Sequence, residues 1–166
     1  MITRHIRYLL MTVLIVGVQT IVSRYLNIAG IAPDILAIWV AYLAITEGQL
    51  TGTVWGFVVG LGLDLFTGTF IGLSALTKTL GGFTAGYFYD ENKLKFTLGS
   101  YRFLLVVFFS SLVQHFVYFV VFTRGTDINV VTAIIEFGVS TTLYTTLVSL
   151  FPIMIVARRS ATVNVE

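Results

Sequence analysis

Apolar residues run along this chain in six stretches, broken by short clusters of charged, glycine and proline positions. The first is apolar from Tyr8 to about Leu26 and follows the basic start Arg4-His5-Ile6-Arg7. That start resembles a signal peptide, but the run is too long for one and no small-residue cleavage site follows it. It reads as a retained helix. Pro33-Asp34 opens the second stretch, with Asp34 near the positive N-terminal end of a helix that runs to about Gly48. A tight turn around Glu47–Thr51 leads into a third, glycine-rich helix ending near Phe66. The fourth is followed by the polar stretch Asp90–Arg102, read as the longest loop, and the fifth by the short polar turn Arg124–Asn129. The sixth is long enough to be tilted or kinked, with Pro152 near its end. The expected spans are 8–26, 34–48, 51–66, 70–89, 103–122 and 131–157, with Ser160–Glu166 a disordered tail.

Composition turns these helices into membrane spans. Hydrophobic residues make up 57% of the 166 positions and charged residues only 11%, against roughly 25% charged in a soluble domain. At about 20 residues per spanning helix, six spans use most of the chain. The expected fold class is therefore an all-α integral membrane protein, one compact bundle of about six transmembrane helices with no second domain.

Charge then sets orientation. The formal net charge of +2 suggests a nucleic-acid partner only until the basic residues are placed at the helix ends. In the six-span reading, Arg4, Arg7, Lys93, Lys95, Arg102, Arg158 and Arg159 fall on one side, and Arg24 and Arg124 on the other. The excess marks the cytoplasmic side. Both termini and the 90–102 stretch are expected there, with no nucleic acid among the partners. A five-span model would send Arg158 and Arg159 outside and weaken the bias. The chain has no cysteine, so disulfide and thiolate chemistry are excluded.

Two sets of residues stand out as candidate sites. Gly48, Gly52, Gly56 and Gly60 recur every four positions and lead to Asp64. Such a row winds slowly across one helix face and lets a second backbone approach closely. The fourth helix answers with Gly68 and Gly72 at its entry and with Gly81, Gly82, Ala85 and Gly86 further along. A tight hairpin of helices three and four is expected, and the same glycines could instead receive another protein's helix. The second set is ionisable: Asp64, Lys78, His115 and Glu136, with Gln114 beside His115. Each costs about 2.5–3.5 kcal/mol at mid-helix on insertion scales. Counting along the helices puts all four in the outer half of the membrane. Asp64 and Glu136 are the expected partners of Lys78, as a structural ion pair, a proton or solute path, or a contact for a partner's helix. The sixth helix also carries Ser140, Thr141, Thr142, Thr145, Thr146 and Ser149, hydroxyls that commonly bond their own or a neighbouring backbone. Tyr8, Tyr25, Tyr87, Tyr89, Tyr101 and Phe122 read as interfacial anchors.

No catalytic or cofactor pattern accompanies these residues. His5 and His115 have no metal-ligand spacing, no phosphate-cradling loop occurs, and an intramembrane protease would need a second aspartate or a Ser–His pair beside Asp64. No enzyme activity, cofactor or metal is expected.

From Pro33-Asp34 to Tyr87 the chain resembles the rod shape-determining protein MreD family. The likeness rests on the Pro-Asp entry, on GFVVGLGLD carrying Gly56, Gly60 and Asp64, and on GLSAL from Gly72 to Leu76. The resemblance implies a non-enzymatic scaffold of the bacterial cell-elongation machinery. Its implied partners are membrane lipid, an MreC-like protein, the wall-synthesis transpeptidase and glycosyltransferase, and an MreB-like filament; oligomeric state stays open. That family is also similar in fold to the membrane substrate-binding subunits of energy-coupling-factor vitamin transporters, which supplies a rival reading. Those subunits dock through an Ala-x-x-x-Ala motif on the first helix. Here no alanine lies between Tyr8 and Leu26, although Ala37 and Ala41 have that spacing on the second helix.

Overall fold

The computed structural model describes residues 2–68, 70–124 and 127–154. The expected tail Ser160–Glu166, the end of the sixth span and the basic pair Arg158 and Arg159 lie outside the described residues. Within them the chain is helical, without a named strand. The helices are α1 (Ile2–Tyr25), α2 (Ile35–Glu47), α3 (Gln49–Thr67), α4 (Leu73–Gly86), α5 (Leu94–Leu98), α6 (Tyr101–Phe122), α7 (Val130–Ala133) and α8 (Ser140–Val148). A π-helical stretch, Ile134–Val139, joins α7 to α8, so that Val130–Met154 forms one last helix. Part of the expected 90–102 loop is ordered as a 3-10 turn, Glu91–Lys93, and as α5. Asp90 opens that turn by accepting the Asn92 amide. Its hydrogen bond from Lys93 holds its carboxyl below the usual carboxylate range.

Successive long helices run antiparallel. Arg4 and Tyr8 at the start of α1 meet Glu47 at the end of α2, and Phe70 before α4 meets Phe122 at the end of α6. One end of the bundle, here called distal, carries the connections 26–34, 68–72 and 123–129. The other, proximal, end carries the N-terminus, Gly48 and the 87–100 segment. The α2–α3 connection is Gly48 alone, at φ 94°, a conformation side-chain-bearing residues rarely adopt.

Among the described residues four helices are long and apolar enough to cross a membrane: Thr3–Tyr25, Gln49–Thr67, Tyr101–Phe122 and Val130–Met154. α2 and α4, with 13 and 14 residues, span only about 20 Å at 1.5 Å per residue, short of a hydrocarbon layer of about 30 Å. They are also the most enclosed helices, with Leu36, Leu43, Ala44 and Ala85 wholly buried. A helix end inside a bilayer is tolerated where protein surrounds it. The long helices supply that surrounding.

The surface is apolar and the interior is partly polar. Leu10, Leu14, Leu65, Phe66, Leu147 and Phe151 are all exposed, while Asp64, Lys78, Ser111, Thr142 and Thr145 are buried. A water-soluble fold arranges these classes the other way round. Lipid is the solvent that such an exterior fits.

Glycine makes the closest helix contact, that of α3 with α4. A Cβ on Gly56 would collide with the Lys78 carbonyl, one on Gly60 with Ser74 and Ala75, one on Gly82 with the Gly52 carbonyl, and one on Gly86 with Gln49. Gly52 also faces Ala44 of α2. Gly48 belongs to the turn and makes no such approach.

α1 is held differently. It is pinned by polar contacts at three depths: Glu47 to Arg4 and Tyr8, Trp39 to Thr12, and Gln19 to the entry of α2. Apolar contact between helices gains little over contact with lipid tails, whereas hydrogen bonds and close packing do distinguish the two. Tyr8, expected as an interfacial anchor, is buried because its hydroxyl donates to Glu47 and its ring packs edge-on against Trp39 and Trp55.

Candidate functional site

The chain leaves α1, turns tightly at Ile28–Ile31, and dips back to begin α2 at Asp34. Gln19 fixes how far it dips. Its Nε2 donates to the Pro33 carbonyl at 3.0 Å and its Oε1 accepts the Ile35 amide at 2.8 Å. Gln19 lies six residues before the end of α1, so α2 starts about 9 Å below that end. Unsatisfied backbone groups at such a depth are costly, and these two contacts satisfy one carbonyl and one amide.

Asp34 is the centre of the resulting hub. Its Oδ1 accepts the Ala37 amide at 2.9 Å, capping α2. Its Oδ2 accepts the Lys78 ammonium at 2.5 Å and the Gln114 side-chain amide at 2.6 Å. Its own amide donates to Thr145 Oγ1 at 2.9 Å. α2, α4, α6 and the last helix therefore converge on one residue, and α1 reaches the same turn through Gln19. Lys78 is 2% exposed, and its charge is compensated by Asp34 rather than by either expected partner.

Asp64 does different work. Its carboxylate accepts the amides of Gly72 at 2.8 Å and of Ser74 and Ala75 at 3.2 Å. It thereby caps α4, whose own N-cap position is a glycine without a side-chain acceptor. This occupation separates it from Lys78. Glu136 is exposed on the π-helical stretch and does not line the hub's cavity. His115 does belong to the hub region, with Nδ1 3.0 Å from Thr142 Oγ1.

Beside the hub, towards the distal end, lies a cavity of about 350 Å³, with Gln19, Asp34, Lys78, Gln114 and His115 in its lining. Gly30 and Tyr118 also border it. Thr141, just after the π-helical stretch, lies in the same lining, whereas Thr142, Thr145 and Ser149 are fully buried. Among the described residues no group of three His, Asp or Glu side chains could hold a metal ion.

Sequence reasoning missed Asp34 as the lysine's partner, and missed Gln19 and Glu47; Thr145 is among the hydroxyls expected to bond a neighbouring backbone, and it does. Asp34 reads from the sequence as the residue that opens helix two, and the candidate ionisable set Asp64, Lys78, His115 and Glu136 does not include it. A usable signal was present: a Pro-Asp entry after a Gln-containing apolar helix, leading a helix too short to span.

An apolar exterior, antiparallel helices and a buried polar hub define a helical integral membrane protein. Its sequence places it further: residues 3–155 match the family model of the rod shape-determining protein MreD, and the chain belongs to that family. No curated protein matches it, and no solved structure does. Membership carries a role in rod-shape determination.

Proposed function

We propose that this chain is a six-pass, non-enzymatic scaffold of the cell-elongation machinery in the bacterial cytoplasmic membrane, with both termini in the cytoplasm. The short α2 and α4 count as passes in this reading, because the antiparallel alternation requires each to return the chain to the opposite end. As a scaffold it supports rod shape and lateral peptidoglycan synthesis by holding partner membrane proteins through lateral helix contacts. The partners are an MreC-like protein and the wall-synthesis transpeptidase and glycosyltransferase, with an MreB-like filament on the cytoplasmic side.

One observation supports lateral contact most directly. Glu136 is exposed between the exposed apolar Ile135 and Phe137, six residues into the last helix and so about 9 Å below its distal end. A carboxyl group on a lipid-facing surface is costly unless another helix meets it. Glu136→Leu is expected to leave the melting temperature of the purified protein unchanged or raised, and to abolish co-purification of an MreC-like partner after mild detergent extraction. Undiminished co-purification would remove Glu136 from the contact. Recovery of an ATPase-linked transporter core instead of wall-synthesis proteins would favour the rival vitamin-transporter subunit, for which the cavity beside Lys78 is the supporting observation.

A further inference from the structure

The hub leaves hydrogen-bonding capacity unused beside its cavity. The Lys78 ammonium has three protons and gives one to Asp34; among the described residues the other two meet no acceptor, although Lys78 is 2% exposed. Thr142 donates its single hydroxyl proton to the Gly138 carbonyl at 2.8 Å. It must therefore accept from His115 Nδ1, which in a neutral ring leaves Nε2 as an unprotonated acceptor. Among the described residues nothing donates to that Nε2. Lys78 and His115 both line the cavity of about 350 Å³, as do the hydroxyl-bearing Ser23, Ser74 and Thr141.

These groups select a ligand chemistry. A further anion would face the Asp34 carboxylate, and a further cation would face Lys78. An apolar ligand would strand buried N–H groups at a cost. A hydroxyl fits, since it accepts from the ammonium and donates to the imidazole. We propose that the cavity binds a neutral polyol group, a site that goes beyond the scaffold reading and does not depend on it. The group has two possible sources: a free sugar-sized polyol entering from the distal end, or the hydroxylated headgroup of a lipid lying against the cavity mouth.

The test uses the full chain in nanodiscs of phosphatidylcholine, whose headgroup carries no O–H or N–H donor. One arm adds myo-inositol; the other replaces half the lipid with monoglucosyl diacylglycerol, a neutral lipid whose headgroup is a sugar. At a tenfold excess over Kd the melting temperature should rise by roughly 3–6 °C. The arm that responds identifies the source. His115→Phe removes the ring acceptor and Thr141→Leu fills the cavity, and each should abolish the rise. Their melting in plain phosphatidylcholine shows whether they fold. Should neither fold, equilibrium binding of tritiated myo-inositol and of a spin-labelled monoglucosyl diacylglycerol to the wild-type protein decides the matter. Saturable binding of either supports the site. No rise and no saturable binding in either arm, or an equal rise in wild type and folded variants, overturns it.

Discussion

Lys78 and Asp34 can each be removed alone or together, and the three outcomes differ. Lys78→Met leaves the Asp34 carboxylate with only Gln114 and the Ala37 amide, in a place with little water. Breaking a buried pair from one side costs about 3–5 kcal/mol. Combining it with Asp34→Asn removes both charges while an Asn oxygen can still cap α2, so most of that loss should return. Chemical unfolding in detergent measures both variants; a double variant as unstable as the single would show that the pair is not the source of the cost. Ser111 makes the opposite case. Its hydroxyl is fully buried and has no hydrogen-bond partner among the described residues, so Ser111→Ala should be neutral or stabilising, by about 1 kcal/mol. At this scale the sequence was only partly legible. The ionisable residues were conspicuous because the bilayer makes them expensive, and Lys78 and His115 do sit beside one cavity. Their partners were not legible, because pairing depends on depth, and depth depends on where each helix begins. Asp34 and Asp64 exchanged their expected parts for that reason. The carboxylate read as a lysine partner caps α4, and the one read as a cap also holds the lysine.

For the helices, close approach and polar pinning are separable by mutation. Gly56→Ala and Gly60→Ala each drive a Cβ into the backbone of α4 and should lower yield and melting temperature together. Gly62 lies on the same helix with open space around it, so Gly62→Ala should stabilise by about 0.5–1 kcal/mol through helix propensity. Equal behaviour of the three would refute close packing as the role of the ladder. The four-residue spacing made the α3–α4 hairpin readable, since few side chains other than glycine permit such proximity. The attachment of α1 was not readable in the same way. Its contacts are isolated polar residues whose partners lie on α2, and no periodicity links Arg4 or Tyr8 to Glu47. Glu47→Ala removes two of those contacts at once. Arg4 is half exposed and contributes little, but the buried Tyr8 hydroxyl loses its acceptor, so the loss should be about 1–3 kcal/mol. Faster hydrogen exchange confined to Thr3–Met11 is the expected readout.

Taken whole, the molecule packs two short, mostly buried helices against four longer ones, and its two unlike ends make its orientation testable. The proximal end carries Arg4, Arg7, Lys93 and Arg102, and the distal end Arg24 and Arg124. If basic residues near helix ends stay in the cytoplasm, the proximal end is cytoplasmic and the cavity beside Lys78 faces outward. The chain contains no cysteine, so a single introduced thiol reports its own side without background. Asn92→Cys sits in the 3-10 turn at the proximal end and Asp127→Cys in the distal turn, both exposed. In intact spheroplasts a membrane-impermeant maleimide should label Asp127→Cys, and should label Asn92→Cys only after permeabilisation. The reverse pattern would invert the bundle and open the cavity to the cytoplasm. Labelling of both thiols before permeabilisation would mean that the chain crosses an even number of times between these two turns. That contradicts α6 as the single pass between them, and with it the six-pass arrangement on which the lateral-scaffold reading rests.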